Sequence, residues 1–214
     1  MTESDKKNFN IIIRGFSYKE NWIPLSTRRH KTERYTINII DNIHRFEKLI
    51  TNLSKKYNVT TYLSTYNTTP KKILDEACDR LKIDKVILSE EKNSKQFTTA
   101  IRSLEEIQLS GLTLLIRADL IIKDKLIELI SNYDFDYEHI YALCLEKNGS
   151  KISDFFHIIP DKKIPEVKNF LKNLDMRIQQ GHYIHQHINT KTMISEKITF
   201  PTEYYEPYDS RHEK

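Results

Sequence analysis

Leu112-Thr113-Leu114-Leu115-Ile116-Arg117-Ala118-Asp119 is the stretch that sets the fold class of this chain. The residues from Leu112 to Ile116 carry no charge, and Gly111 stands directly before them. A short, continuous apolar run of this kind predicts a strand that is buried on both faces, as the strands of parallel sheets are. Arg117 and Asp119 follow at the point where such a strand should end.

Similar apolar runs recur along the chain, and stretches with helical periodicity separate them. Strands are predicted at residues 9–16, 58–64, 85–88, 112–116, 140–145 and 152–159. Helices are predicted at residues 35–56, 70–82, 94–109, 123–131 and 165–188. This alternation predicts an α/β fold with a mostly parallel, mixed sheet and helices on both faces. We expect one domain over residues 1–214, with a core at about 9–190 and a polar tail at about 197–214.

The composition excludes several classes of protein. The chain has 214 residues, of which 34 are basic and 30 acidic, so the net charge is +4. A nucleic-acid-binding protein usually has a larger, one-sided excess of positive charge, so no nucleic-acid partner is expected. The two cysteines, Cys78 and Cys144, lie too far apart in sequence to indicate a zinc site or a disulfide framework. No apolar run approaches the roughly 18 residues of a membrane span, and we expect a cytoplasmic protein.

Candidate binding residues follow from the predicted fold. Ligands of open α/β sheets bind outside the carboxyl ends of the strands. The segments at those ends are Arg14-Gly15, Thr65-Tyr66-Asn67, Ser89-Glu90, Arg117-Ala118-Asp119 and Glu146-Lys147. Each has a structural alternative: Asp119 would cap the next helix, Arg117 would form a surface ion pair, and Arg14-Gly15 would be an ordinary tight turn.

Three segments together resemble a known family. They are Ile11-Ile12-Ile13-Arg14-Gly15-Phe16-Ser17-Tyr18, Tyr62-Leu63-Ser64-Thr65-Tyr66-Asn67 and Leu115-Ile116-Arg117-Ala118-Asp119-Leu120. Their order and spacing are similar to those of the glycosyltransferase-like domains encoded by large DNA viruses of the chlorovirus and mimivirus kind, which adopt the GT-A fold. The resemblance extends over about residues 9–190.

The resemblance implies a reaction and a set of site residues. The reaction would be transfer of a hexosyl or pentosyl group from a nucleoside diphosphate sugar, with uridine as the base, to a glycan or protein-linked acceptor. Arg14, Gly15, Thr65, Tyr66, Arg117 and Asp119 would bind the donor, and Asp119 would be the active-site carboxylate. The protein would then act in the host cytoplasm or the virion.

A divalent metal ion is also implied by the resemblance. Many GT-A enzymes carry Asp-x-Asp at this strand end, where two carboxylates hold an ion that neutralises the leaving diphosphate. Here the triplet is Arg117-Ala118-Asp119, so an arginine takes the place of the first acid. One carboxylate can still bind Mg²⁺ or Mn²⁺ when phosphates and water supply the other ligands. Asp119 is therefore the predicted metal ligand, and Arg117 a bidentate phosphate contact.

Four further features allow two interpretations each. Asp154 is a candidate general base, and its alternative is a cap or turn residue. The histidines at 182, 185 and 187 lack the spacing of a zinc motif, so a contact in the sugar site is the better interpretation. The link at 19–34 is long enough for a basic lid over the diphosphate, and its alternative is a disordered segment. A literal Asp-x-Asp at 134–136 is better explained by turn chemistry than by metal binding.

An alternative function fits the same fold. The chain would be a catalytically inactive module that binds nucleotides or another protein, because folds persist when activities are lost. The arginine at position 117 favours this alternative, since it replaces an acid of the metal motif.

Overall fold

A computed structural model of the chain describes residues 6–22, 35–91, 97–142, 156–175, 190–192 and 205–207. The strands in these ranges are β1 (Asn8–Arg14), β2 (Tyr18–Trp22), β3 (Tyr35–Asn38), β4 (Asn58–Tyr66), β5 (Ile83–Ser89), β6 (Leu112–Arg117), β7 (Leu120–Ile122), β8 (Ile140–Ala142), β9 (Phe156–Pro160), β10 (Thr190–Thr192) and β11 (Tyr205–Pro207). The helices are α1 (Ile43–Ser54), α2 (Lys71–Leu81), α3 (Thr98–Glu106), α4 (Asp124–Asn132) and α5 (Ile164–Asp175). None of these helices is long and apolar enough to cross a lipid bilayer.

Seven strands form one sheet in the order β10-β8-β9-β6-β1-β4-β5. β1 lies between β4 and β6 and is parallel to both. β5 is parallel to β4, whereas β9 is antiparallel to β6 and to β8. The predicted α/β fold with a mostly parallel, mixed sheet is confirmed. Residues 11–13, 59–63 and 112–116, each part of a predicted strand, lie in neighbouring strands of this sheet.

The central strand β1 is buried on both faces, which explains its uninterrupted apolar run. Phe9, Ile11 and Ile13 pack on one face with residues of α1, α2 and α4. Ile12 packs on the other face with residues of α3 and α5. All four side chains are fully buried, and each such burial stabilises the fold by about 1.5–3 kcal/mol.

The prediction of a helix at 35–56 is wrong for the first two turns. Residues 35–38 are β3, which pairs with β2 in an antiparallel hairpin, and α1 begins only at Ile43. Asn38 ends the strand because its side chain accepts the N–H of Ile40 at 3.1 Å and starts a short 3₁₀ helix over residues 39–42. The link predicted at 19–34 contains most of β2, so it is not a continuous loop. Residues 23–34, including the predicted basic lid, lie outside the described residues.

In the second half of the chain, the described residues cover only parts of the predicted elements. β8, β9 and α5 are the described parts of the strands predicted at 140–145 and 152–159 and of the helix predicted at 165–188. Asp154, the strand-end pair Glu146-Lys147 and the histidines at 182, 185 and 187 lie outside the described residues. β11 belongs to the predicted polar tail, where it pairs with β7. Three residues are too few to show a strand periodicity, so neither strand is predicted from sequence.

The start of β6 generates a test of the packing around β1. Gly111 has φ +76°, and a Cβ placed there would lie 2.3 Å from the carbonyl oxygen of Asn8. Gly15 also has a positive φ, +103°, but its Cβ position faces open space among the described residues. Gly111→Ala should therefore lower the free energy of unfolding more than Gly15→Ala does. Both substitutions impose about 1–3 kcal/mol of backbone strain, and only the first adds a backbone clash. Urea unfolding measures the difference, and equal losses would contradict the close approach of Gly111 to β1.

Candidate active site at the carboxyl edge of the sheet

The ends of β1, β4 and β6 meet at one edge of the sheet because the three strands are parallel. Arg14 and Arg117, the last residues of β1 and β6, are register partners. The N–H of Ala118 donates to the carbonyl oxygen of Arg14 at 2.7 Å, and the N–H of Gly15 donates to that of Ser64 at 3.0 Å. These two hydrogen bonds extend the strand pairing by one residue and fix the backbone of the predicted site residues.

Arg117 and Asp119 bind each other through two hydrogen bonds. The Nε of Arg117 donates to Oδ1 of Asp119 at 2.8 Å, and its Nη2 donates to Oδ2 at 2.5 Å. The side chains are 26% and 12% exposed, respectively. A bidentate pair of this kind is among the stronger ion pairs in proteins, and its planar geometry fixes both groups. The structure thus brings the two predicted site residues together, in contact with each other.

Arg14 contributes a second cation to the same place. Its side chain is almost fully buried, and its guanidinium carbon lies 5.6 Å from the ring centroid of Phe97, at the start of α3. Side chains alternate along a strand, so Arg14 shares a face with Ile12, on the side of the sheet that α3 and α5 cover. The positive charge of Arg14 acts on Asp119 from there.

The balance of these charges keeps Asp119 ionised. Burial raises the pKa of the Asp119 carboxyl, but the charge and hydrogen bonds of Arg117 and the charge of Arg14 outweigh it. The net result is a pKa below the usual value for an aspartate. Asp119 is therefore an anion at neutral pH, held between two guanidinium groups.

Gly15 leaves room beside these charges. Its φ of +103° is a conformation that favours glycine, and no atom of the described residues lies within 4 Å of its Cβ position, its chain neighbours aside. A ligand can therefore approach the backbone next to Arg14. Gly15 thus lies at the strand end where the sequence places it, and its contact with a donor stays a prediction.

Thr65 and Tyr66, the other predicted donor contacts, are buried at the end of β4. The Oγ1 of Thr65 accepts the N–H of Ser17 at 3.2 Å and lies 3.1 Å from the Oγ1 of Thr69. The ring of Tyr66 packs on Phe16, with 4.4 Å between the ring centroids. Both residues hold the loop after β1 against the end of β4, and their contact with a donor stays a prediction.

Sequence reasoning missed an ionic cluster at the same edge. Glu91, two residues after β5, accepts hydrogen bonds from Lys19 of β2 and Thr68 of the loop before α2. Burial raises the pKa of Glu91, but the hydrogen bonds from both partners and the charge of Lys19 outweigh it, so the pKa is lowered. The cluster ties the β2–β3 hairpin to the edge of the sheet. The acidic pair Glu90-Glu91 after a strand was the available signal.

Two buried serines lie at this edge, and of these the sequence indicates Ser89, in the strand-end segment Ser89-Glu90, but assigns no role to Ser17. The hydroxyl oxygens of Ser17 and Ser89 are buried and have no hydrogen-bond partner among the described residues. Leaving a buried hydroxyl unpaired costs about 1–3 kcal/mol, so such groups suit a polar ligand or bound water. Ser17 follows β1 closely, and Ser89 ends β5.

The literal Asp-x-Asp at 134–136 is a turn, as the sequence indicates. The Oδ1 of Asp136 accepts the backbone N–H groups of Glu138 and His139 at 2.9 and 3.0 Å. Asp134 is fully exposed and lies 3.8 Å from the Nζ of Lys56. The two carboxylates serve separate structural contacts, which confirms the interpretation as turn chemistry.

The residues around Asp119 do not fit a bound Mg²⁺ or Mn²⁺ ion. Both oxygens of the carboxylate already accept hydrogen bonds from Arg117, and two positive charges act on it. Within the described ranges, no three His, Cys, Asp or Glu side chains are close enough to share a metal ion. Asp119 could bind a metal ion only if its ion pair with Arg117 opened, or if the carboxylate bound Arg117 and the ion at the same time.

Comparison with known proteins gives structural neighbours of one kind. No protein-family model and no curated protein matches the sequence. The chain is similar to the structure of the glycosyltransferase GlyE of Streptococcus pneumoniae TIGR4, with a TM-score of 0.49 and 11% identity over 88% of this chain and 45% of GlyE. It is also similar to the galactosyltransferase LgtC in complex with donor and acceptor sugar analogs (TM-score 0.44, 8% identity, 82% of this chain and 70% of LgtC). A third neighbour is the bifunctional glycosyltransferase WbbM (TM-score 0.49, 8% identity, 84% of this chain and 38% of WbbM).

The pair of Arg117 and Asp119 generates a prediction for stability against pH. Asp119→Asn should lower the free energy of unfolding at pH 7 by roughly 1–3 kcal/mol, because it removes a charged partner from two buried or half-buried arginines. The folded-state pKa of Asp119 is depressed, so its contribution is complete above about pH 5 and is lost as the pH falls below about 4. The difference in the free energy of unfolding between wild type and Asp119→Asn, measured by urea unfolding, should therefore shrink as the pH falls from about 5 to below about 4.

A matched control for this experiment is Asp124→Asn. Asp124 also pairs with two cations, Arg45 and Lys48, but on the solvent-exposed surface of α4. Water and salt screen such a pair, so its loss should be smaller and should vanish in high salt. An Asp119→Asn variant that is as stable as wild type at pH 7 would contradict the charge balance derived above.

Proposed function

We propose that this chain transfers a glycosyl group from a nucleoside diphosphate sugar, with UDP as the nucleotide, to a glycan or protein-linked acceptor. The observation that carries the proposal is the meeting of Arg14, Arg117 and Asp119 at the carboxyl edge of the central strands. Ligands of open α/β sheets bind at this edge, and paired guanidinium groups are suited to phosphate oxygens. The resemblance of the sequence to GT-A-like domains points to the same reaction.

The chemistry of glycosyl transfer explains why cations would be needed here. The bond between the anomeric carbon of the sugar and the diphosphate oxygen breaks, and the nucleoside diphosphate leaves with an added negative charge. An acceptor hydroxyl forms the new bond to the anomeric carbon and gives up its proton. Preorganised donors that face the developing charge lower the barrier of such a step. Arg14 and Arg117 would act on the leaving diphosphate in this way.

The acceptor hydroxyl requires a base within hydrogen-bond reach. The candidate is Asp154, which follows from sequence alone because this residue lies outside the described residues. Gly15 would allow the diphosphate to approach the backbone after β1, where no atom of the described residues beyond its chain neighbours lies within 4 Å of the Cβ position. Ser17 and Ser89 would offer hydroxyls to the polar parts of the nucleotide.

A second candidate function is a non-catalytic module that binds a nucleotide or another protein. The observation that favours it is the bidentate pair of Arg117 and Asp119, which engages the predicted active-site carboxylate on both oxygens. A nucleotide-binding module and the transferase both predict nucleotide binding, so only turnover separates these two, whereas a module that binds another protein predicts no nucleotide binding.

Donor binding is the first test of the proposal. UDP at about a hundred times its dissociation constant should stabilise the protein by about 2.7 kcal/mol, since it binds the folded state only. For a chain of this size that corresponds to a rise in melting temperature of about 5–10 °C. Uridine without phosphates is the control and should have little effect. If UDP, GDP and CDP and their sugars all leave the melting temperature unchanged, the proposal fails.

Turnover is the second test, measured together with stability. Arg117→Ala should mainly weaken donor binding, because it removes a phosphate contact. Asp119→Asn should reduce the rate of sugar transfer per folded molecule by about 100-fold or more, since the loss of a focused electrostatic contact costs about two to three orders of magnitude. The structural alternative predicts a lower melting temperature with full activity per folded molecule. That result for Asp119→Asn would remove Asp119 from the active site.

A further inference from the structure

The arrangement of charges at the ends of β1 and β6 differs from that of a two-carboxylate metal site. A Mg²⁺ or Mn²⁺ ion is held by several oxygen ligands and is favoured by nearby negative charge. Here the one carboxylate pairs with the guanidinium of Arg117, and the positive charge of Arg14, the register partner of Arg117 on the neighbouring strand, also acts on it. A divalent cation on Asp119 would stand beside both of them.

The geometry of the pair restricts Asp119 further. The planar guanidinium of Arg117 matches the two oxygens of the carboxylate, at 2.8 and 2.5 Å. A guanidinium carries five N–H groups, and two of those of Arg117 bind Asp119. Asp119 thereby fixes the plane and direction of a group that binds phosphate oxygens well.

We propose that Arg14 and Arg117 bind the donor diphosphate without a divalent cation, and that Asp119 positions Arg117 instead of ligating a metal. This inference rests on the proposed function and specifies how the same site holds its donor. The two arginines supply the positive charge that a metal ion would otherwise bring to the diphosphate. Arg14 is held by burial against Phe97, and Arg117 by Asp119, so both charges are preorganised.

The experiment is calorimetric titration of UDP into the full chain, once in excess EDTA and once in millimolar MnCl₂. Cation-free binding predicts the same dissociation constant in both, within about twofold. A dissociation constant that is measurable only with Mn²⁺ would overturn the inference and leave the proposed transferase standing. Failure of UDP, GDP and CDP to bind in either buffer would overturn both.

Asp119→Asn distinguishes a positioning residue from a metal ligand. As a positioning residue, its loss should weaken UDP binding equally in EDTA and in MnCl₂. As a metal ligand, its loss should matter only in MnCl₂, and that result would overturn the inference. The comparison needs no turnover, so it is independent of the acceptor.

Arg117→Asp is the complementary variant, because it places two carboxylates one residue apart on either side of Ala118. UDP binding in EDTA should weaken by about 10- to 100-fold, as expected for the loss of a charged phosphate contact. MnCl₂ should restore part of the lost affinity for UDP. Electron paramagnetic resonance should then detect Mn²⁺ bound together with UDP. Undiminished binding of UDP to Arg117→Asp in EDTA would contradict a role of Arg117.

Two control variants keep the result interpretable. Arg117→Gln preserves the length and polarity of the side chain without its charge, and it should weaken binding in EDTA even if Arg117→Asp does not fold. Arg80→Ala removes an arginine that makes the same bidentate contact, with Glu47, at 2.8 and 2.9 Å. Arg80 lies in the last turn of α2, which leads into the start of β5 and so to the opposite edge of the sheet. UDP should bind Arg80→Ala as it binds wild type.

Discussion

The position of β1 between two parallel strands is the constraint on which the rest of the structure depends. Its backbone is paired on both sides, with β4 and with β6, and its apolar side chains are buried on both faces. A shift of β1 by one residue would turn every side chain to the opposite face, so the register is strongly specified. Because the register is fixed, Arg14 arrives beside Arg117 at the edge of the sheet. The site is therefore a consequence of the core packing.

Charge burial links the stability of this edge to its proposed function. Moving Arg14 and Asp119 out of water is costly, and their mutual attraction, together with the bidentate contact to Arg117, offsets that cost. Removing one member leaves the others inadequately paired, so every substitution here should change stability as well as ligand binding. Activity per folded molecule is consequently the meaningful quantity for variants of these three residues. A ligand that brings negative charge should reinforce the same balance.

The sequence predicts the central sheet and the residues at its edge, but not the contacts between them. Uninterrupted apolar runs identify β1, β4 and β6, and the strand-end rule identifies Arg14, Arg117 and Asp119. The sequence does not show that Arg117 and Asp119 bind each other, because their spacing indicates that the two side chains point to the same side but not how far apart they lie. The β2–β3 hairpin was missed because Ile37 continues the apolar periodicity of α1 backwards into a strand. Glu91 was missed because its partner Lys19 lies 72 residues away.

The replacement of an acid by an arginine at position 117 has a consequence that reaches beyond metal binding. Arg14, Arg117 and Asp119 together carry one net positive charge, whereas the same three positions with an aspartate at 117 would carry one net negative charge. Arginine remains protonated at all physiological pH values, and the pKa of Asp119 is lowered by its neighbours. None of the three charges therefore changes between about pH 5 and 9. The affinity of this group for UDP would follow the ionisation of the terminal phosphate of UDP, whose second pKa is about 6. A metal-bridged site would depend in addition on the supply of the ion, whereas the proposed arginine site would not.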